Sequence, residues 1–439
     1  MHVTEILGQF VATRPAGCLP DSARQMVSLL VLDLMAATGA GLHSPLARAA
    51  RLAARDLGAP GPVQVWMTDL RLDIASAAMA NAAAASALDI DDGHRGAAGH
   101  PGAGVIPAAL AVGQAIGASD SSITEAIAIG YDIALRVATS RPVSTIQTYS
   151  SGLWVGFGVA AAAARLLGLD AAQTAHALAI VAAEGPVSYA NGMSRTQGTT
   201  VKEMIPAAVT AGLVAAFRAR HGATGPLDLL DHQHLHRRDV MLDDLGGRWW
   251  IEDCYIKPYA ACRYMHAAID AILQLRVPGA PIVSLRIETF ARGLKLSNDR
   301  APASLEAGQY SYPFSCALAA LRGEIALQPV MPEALHDTDV RELAARIELV
   351  SHPEFDDLFP ASTPCRVIID QGLGPVAMSV LRPRGDVGNP LSRAEVVTKF
   401  DRITRFNLDD ARRARLLAAL DGLDEQGFAP LFAALDTAS

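Results

Sequence analysis

The chain has 439 residues, 51% of them hydrophobic and 19% charged, which is enough apolar material to bury a core and too much for a disordered polypeptide. Its formal net charge of -8 lacks the basic excess of a phosphate-backbone binder, so no nucleic acid partner is expected. Five scattered cysteines, Cys18, Cys254, Cys262, Cys316 and Cys365, form no CxxC pair, which speaks against a disulfide framework or zinc ribbon and for reduced thiols in a cytoplasmic protein.

Residues 1–20 carry no basic stretch followed by an apolar one, so no export signal is expected. The most apolar early run, Met26 to Leu42, contains Asp33 and two glycines and reads as a buried helix rather than a membrane span. From Asp21 to about Asp270 apolar residues recur at three and four positions, the period of helices. Asp21 and Ser22 are candidate caps for a helix through Leu34. Further helices are expected at Ile74–Leu88, from Val105 with Pro107 in its first turn, and at Ser122–Ala138, Val155–Leu167 and Ala171–Ala183.

After Asp270 the period changes. Val283, Leu285 and Ile287 alternate with polar neighbours, as do residues of Arg346–Val350, Arg366–Asp370 and Val376–Val380, and these read as strands. Helix-like stretches, Ser311–Leu321 and Thr338–Ala345, lie between them. From Ser392 a charged amphipathic pattern returns and is expected to pack back on the first part. The fold class is therefore mainly α: a large all-helical domain, residues 1–268 and 392–439, with a smaller α+β lid domain, residues 269–391.

Three polar clusters interrupt this apolar background. The first is Asp89-Ile-Asp91-Asp92-Gly93-His94-Arg95, followed by Gly99-His100-Pro101-Gly102 and a helix; it combines acid/base groups with a helix start that favours an anion. A capped helix end with a solvated acidic loop explains the same residues. The second is Lys257-Pro-Tyr259-Ala-Ala-Cys262-Arg263-Tyr-Met-His266, which combines a point charge with a bidentate fork for a polyanion, or else is a loop of snorkelling cations. Cys262 is read as a small buried thiol rather than a nucleophile. In the third, Lys202 precedes a helix-forming run. His232, His234 and His236 lie in ordinary loop composition, and with no ligand spacing such as HExxH no metal is expected. Dinucleotide, Walker and GxSxG patterns are absent.

These segments, in this order, resemble the MmgE/PrpD family, which includes 2-methylcitrate dehydratase, cis-aconitate decarboxylase and iminodisuccinate epimerase. The carriers are Asp89-Ile-Asp-Asp with Gly99-His-Pro-Gly, Thr200-Val-Lys202, and Lys257-Pro-Tyr-Ala-Ala-Cys-Arg-Tyr-Met-His266, with weaker support from Leu32-Asp33, Gly39-Ala-Gly41 and Ala307-Gly-Gln-Tyr-Ser311. The resemblance implies cofactor-free acid/base chemistry on a small di- or tricarboxylate, in a cleft between domains of a homodimer subunit. It implies His100, Lys202 and the Asp89–Asp92 loop as active-site residues, with the Lys257–His266 segment bordering the pocket. Asp89, Asp92, His100, Tyr149 and Lys202 are the catalytic candidates. Asp91, His94, Gly102, Lys257, Tyr259, Arg263 and His266 are the substrate-binding ones.

The sequence departs from the family pattern in places. Gly93 stands where the decarboxylase and dehydratase patterns have threonine, Tyr149 in the place of a decarboxylase histidine, Phe314 in that of its tyrosine, His94 in that of a dehydratase tryptophan, and Ser86 where many relatives have histidine. The expectation is a dehydratase with His100 as base and Tyr149 as proton donor. An epimerase using His100 and Lys202 is the alternative, and a decarboxylase or a non-catalytic carboxylate-binding dimer comes after it.

Overall fold

A computed structural model of the chain describes residues 1–142, 150–187 and 197–436. Apolar side chains bury into two adjoining cores. One gathers residues from Val3 to Ala260 and again from Leu391 to Leu435; the other gathers residues from Tyr259 to Ile369. The architecture is mainly helical with a smaller α+β part.

The helices of the larger core follow the apolar period. Ile74–Ser86 is capped by Asp73, whose side chain accepts from Ser76 N–H, and Asp120–Thr139 by Ser119. Val155–Leu166 is followed by Ala171–Glu184, which starts with a reciprocal Asp170 and Gln173 capping box. Three features differ from expectation. An amphipathic helix, Val3–Thr13, precedes the first expected one. The next, Asp21–Gly41, has Pro20 at its cap position without a side-chain bond, so Asp21 complements the dipole from inside the first turn instead of capping. The helix expected from Val105 begins at Gly102 and runs to Ile116, which puts Pro107 inside it, beyond the first turn. Among the described residues no single helix is long and apolar enough to cross a membrane.

In the smaller core a four-stranded sheet has the order Glu348–Ser351, Ser284–Thr289, Cys365–Asp370, Pro375–Val380. The first pair is parallel and the others antiparallel. Cys365, Val367 and Ile369 point into the core while their neighbours are half-exposed, the alternation expected of a half-buried strand. Helix His266–Leu275 packs across the last two strands, and helix Tyr312–Arg322 packs on that helix.

The C-terminal segment returns to the larger core as expected. Helix Arg393–Thr404 lies along Asp21–Gly41. Its Lys399 Nζ donates to Asp33 Oδ1 at 2.5 Å and to the carbonyl of Ile90 at 2.6 Å. Burial pushes the Asp33 carboxyl up to about 6 even against this ammonium.

Candidate active site

Helix Ile74–Ser86 ends just before the first polar cluster, and Asp89 takes a left-handed backbone conformation, φ 55°. That turn separates Asp89 from Asp91 and Asp92, so three nearby carboxylates meet three different environments. The following residues, Gly93–His94, pair antiparallel with Cys254–Tyr255. This short ladder brings Lys257 alongside the loop. A side chain at Gly93 would place a Cβ 2.5 Å from the Tyr255 hydroxyl, which accounts for glycine where threonine was the family expectation.

Asp89 is buried between two ammonium groups. Lys202 Nζ donates to its Oδ1, while Lys257 Nζ lies 2.9 Å from its Oδ2 and donates to its backbone carbonyl at 3.0 Å. Burial raises its pKa, but Lys202, Lys257 and His100 outweigh burial and hold the carboxyl well below the usual range. Lys202 is placed by an unusual turn: Lys202, Glu203 and Met204 have φ of 40°, 54° and 59° ahead of helix Ile205–Arg220. Left-handed backbone costs about 1–2 kcal/mol per non-glycine residue, so side-chain bonds must hold it. Glu203 Oε2 accepts from the N–H of Ser151 at 3.1 Å and from its hydroxyl, and Oε1 accepts from the Tyr310 hydroxyl at 3.1 Å. Lys202 Nζ also donates to that hydroxyl at 3.1 Å.

His100 stands at the centre. Its Nδ1 lies 2.9 Å from the carbonyl of Asp92 and 3.1 Å from Asp91 Oδ2; its Nε2 lies 3.3 Å from Asp89 Oδ1 and 3.4 Å from Lys257 Nζ. Burial alone would lower the imidazole pKa. The Asp91 and Asp89 carboxylates outweigh burial and the opposing Lys257, raising it to about 10. Asp91 is in turn pulled down, its burial outweighed by His100. These neighbours favour the charged imidazolium, whereas the expected role of His100 as base needs the neutral ring.

Asp89, His100, Glu203, Lys257, Arg263 and Tyr310 line one cleft with about 870 Å³ of empty space, part of it open solvent. Lys202 lies just behind this wall, touching Asp89 and Tyr310. Other sequence candidates sit elsewhere. Asp92 faces Tyr131, whose hydroxyl donates to Oδ2 at 3.1 Å, and burial with Asp91 and Asp33 raises its pKa well above normal. Gly102 lies behind this pair, where a Cβ would come 2.0 Å from Asp92 Oδ1 and 2.3 Å from the Tyr131 hydroxyl. Gly102→Ala is therefore expected to destabilise the fold by about 1–3 kcal/mol through overpacking; an unchanged urea midpoint would show that the helix start relaxes freely.

His94 packs on Trp250, accepts from Ala97 N–H at 3.2 Å, and is pushed down to about 4 by burial. Tyr259 donates to Asp270 at 2.8 Å in a separate surface depression. His266, pushed well below normal by burial and by Arg263, supports the cleft from beneath, with Nε2 3.0 Å from the carbonyl of Ala261 and Nδ1 3.2 Å from Arg263 Nη1. Cys262 is in the wall, its thiol pushed up to about 12 by burial and by Asp89, which fits a protonated thiol. Phe314 is buried in the smaller core and Ser86 bonds back to Ala82 inside its helix. His236 lies against the Ser140 hydroxyl at 2.9 Å. Tyr149 lies outside the described residues.

Glu203 and Tyr310 were not singled out from sequence. Tyr310 reaches the site because Gln309 anchors its segment, donating to the carbonyl of Ala87 at 3.0 Å and accepting from Cys262 N–H at 2.8 Å. The available signals were adjacency, Glu203 to Lys202 and Tyr310 within the quoted Ala307–Ser311 run. Ligand atoms of Asp89, His100 and Glu203 come within 4.8 Å of one another, but both Asp89 oxygens already face ammonium groups. A metal cation there would meet two positive charges, so the donor set does not fit one.

Comparison with known proteins agrees along most of the chain. Residues 5–244 match the MmgE/PrpD N-terminal domain and residues 259–424 the MmgE/PrpD C-terminal domain. Among curated relatives, the cis-aconitate decarboxylase-like protein oryM of Aspergillus oryzae is 23% identical, the alignment covering 94% of this chain and 93% of that one. The cis-aconitate decarboxylase of Aspergillus terreus is 23% identical over 92% of this chain and 90% of its own, and the human enzyme of that name 22% over 80% and 77%. With both family domains matched in order and the polar segments that resemble the family gathered around one cleft, the chain belongs to the MmgE/PrpD family.

Proposed function

We propose that this protein is a lyase of small di- or tricarboxylates working by acid/base chemistry, with dehydration of a hydroxy acid as its reaction. The observation that carries this reading is the pairing, in one cleft, of a buried imidazolium with a carboxylate: a ring nitrogen of His100 and an oxygen of Glu203 lie within 4.8 Å. In the proposed step the Glu203 carboxylate takes the proton alpha to a substrate carboxylate. Negative charge then develops on that carboxylate, and the Lys257 ammonium stabilises it. As the carbon–oxygen bond breaks, His100 gives its proton to the leaving hydroxyl, so that water departs and a carbon–carbon double bond remains. The proton on Glu203 restores the balance when it returns to His100 directly or through solvent.

Spacing favours this over an epimerase. An epimerised carbon must sit between two groups, each about 3–3.5 Å away. Between His100 and Lys202, however, sits Asp89 Oδ1, which both nitrogens approach. Decarboxylation is the second reading, supported by the names of the relatives; there the His100 proton goes to carbon after carbon dioxide leaves.

Proton NMR in deuterium oxide, with methylcitrate, citrate, cis-aconitate and hydroxylated or aminated succinates, tests the proposal. A new vinylic signal from a hydroxy acid is the expected result. Growth of a methylene product with loss of carbon dioxide from cis-aconitate moves the assignment to the decarboxylase. Alpha-proton exchange with no product overturns the lyase reading in favour of an epimerase.

A further inference from the structure

Beside the Asp89 centre the same cleft has a second positive pole. Arg95 follows the short Gly93–His94 strand, and Arg263 begins the turn before helix His266–Leu275; both line the cleft. One carboxylate, Asp386, serves the two guanidinium groups: Arg95 Nη2 contacts its Oδ2 and Arg263 Nη2 lies 3.6 Å from the same atom. Arg263 further donates to the carbonyls of Arg384 at 2.9 Å and Pro383 at 3.1 Å, and stacks its guanidinium 4.7 Å from the centre of the Tyr255 ring. Among the described contacts neither arginine reaches Asp89, Asp91 or His100.

This pole is short of acceptors. Arg95 Nη1, Arg263 Nε and Thr363 Oγ1 are buried polar atoms without a hydrogen-bond partner, and all three residues line the cleft. Buried donors left unpaired cost free energy, and the two guanidiniums share one contacting carboxylate, with Asp270 acting on Arg263 as a further negative charge. Burial with the nearby Arg95 lowers the Arg263 pKa to about 10, as expected for crowded cations. A planar fork with a free N–H edge suits a carboxylate, which it can bind through two hydrogen bonds.

We infer that Arg95 and Arg263 form a second anion subsite of the cleft, which takes the distal carboxylate of a substrate whose reacting end lies at Lys257 and His100. The inference rests on the carboxylate reading above and adds to it the requirement for a second, separated carboxylate. Asp386 tunes the subsite: being negative, it competes with a bound carboxylate for the two forks and keeps the empty subsite from binding small anions indiscriminately. Because Arg95 follows the strand Gly93–His94 and Arg263 opens the turn before helix His266–Leu275, a carboxylate held by both links these two segments.

The test is isothermal titration at neutral pH with tricarballylate, which carries separated carboxylates and no leaving group, and with butyrate, which carries one. Arg95→Gln is expected to raise the Kd for tricarballylate about tenfold or more, the scale of one lost charge-assisted bond, while changing that for butyrate by less than about threefold. Asp386→Asn is expected to move tricarballylate binding the other way, tightening it several-fold, and so keeps the test decisive if Arg95→Gln fails to fold. Equal losses for both ligands, or tricarballylate binding that is unchanged in Arg95→Gln or weakened in Asp386→Asn, overturn the subsite. A wild-type protein that binds neither ligand overturns the carboxylate reading itself.

Discussion

Asp89→Ala is expected to cost about 3–5 kcal/mol of folding stability, the range for breaking a buried ion pair by removing one partner. The side chain is 1% exposed in its ion pairs, and its two ammonium partners are 1% and 0% exposed, so neither can turn to water when the carboxylate goes. Asp89→Asn preserves the shape and still leaves the charges unbalanced, so a similar loss is expected from it. Urea unfolding checks both; a loss below about 1 kcal/mol would mean that water or rearranged neighbours solvate the lysines. The pH dependence has a definite sign. Because the folded-state pKa of Asp89 lies well below the ordinary 3.8, its contribution is present above that value and is lost as pH falls through the folded pKa.

The second large effect is catalytic. His100→Asn is expected to lower kcat by about 10²–10⁴, the usual worth of a positioned acid or base. The pH profile tells donor from base. With a folded pKa raised from 6.5 to about 10 in the free protein, the donor form persists through neutrality, so kcat/KM should hold across the range about 7–9 and fall as pH passes about 10. A rate that instead rises on a limb near pH 6.5 and needs the neutral ring would overturn the donor role. The same shift makes His100 a stabilising charge. That contribution is fully present below the unfolded value of 6.5 and is lost as pH rises through about 10.

Much of this was legible from residues alone because the signals were local. The apolar period that placed helices at Ser122–Ala138 and Ala171–Ala183 meets them at Asp120–Thr139 and Ala171–Glu184, and the alternation read over Arg366–Asp370 belongs to the half-buried strand Cys365–Asp370. Asp89, His100 and Lys257 stood out because polar side chains interrupt apolar surroundings. What was not legible depends on long-range placement. Asp89, Asp91 and Asp92 look equivalent in sequence, and only the left-handed turn at Asp89, the distant Lys202 and Lys257, and the burial of Asp92 beside Asp91 and the distant Asp33 make one an ion-paired carboxylate and push the pKa of another well above normal. The pairing of Glu203 with Tyr310 spans 107 positions, and that of Arg95 with Asp386 joins segments still farther apart in the chain. The raised pKa of His100 is a sum over neighbours that sequence spacing does not reveal.

The bond from Lys399 to Asp33 and to the Ile90 carbonyl sets an order of events during synthesis. The helix bearing Asp33 and the loop bearing Ile90 leave the ribosome long before residue 399 does, and chains generally organise from the N-terminus as they emerge. Until Lys399 arrives, Asp33 lacks the ammonium that bonds to it directly, and the carbonyl next to Asp89 lacks this donor. The nascent chain can assemble much of its helical scaffold early, but the loop at the reaction centre receives its last support only when the tail is translated. A chain that ends before Lys399 lacks this support, even when it already carries every residue lining the cleft.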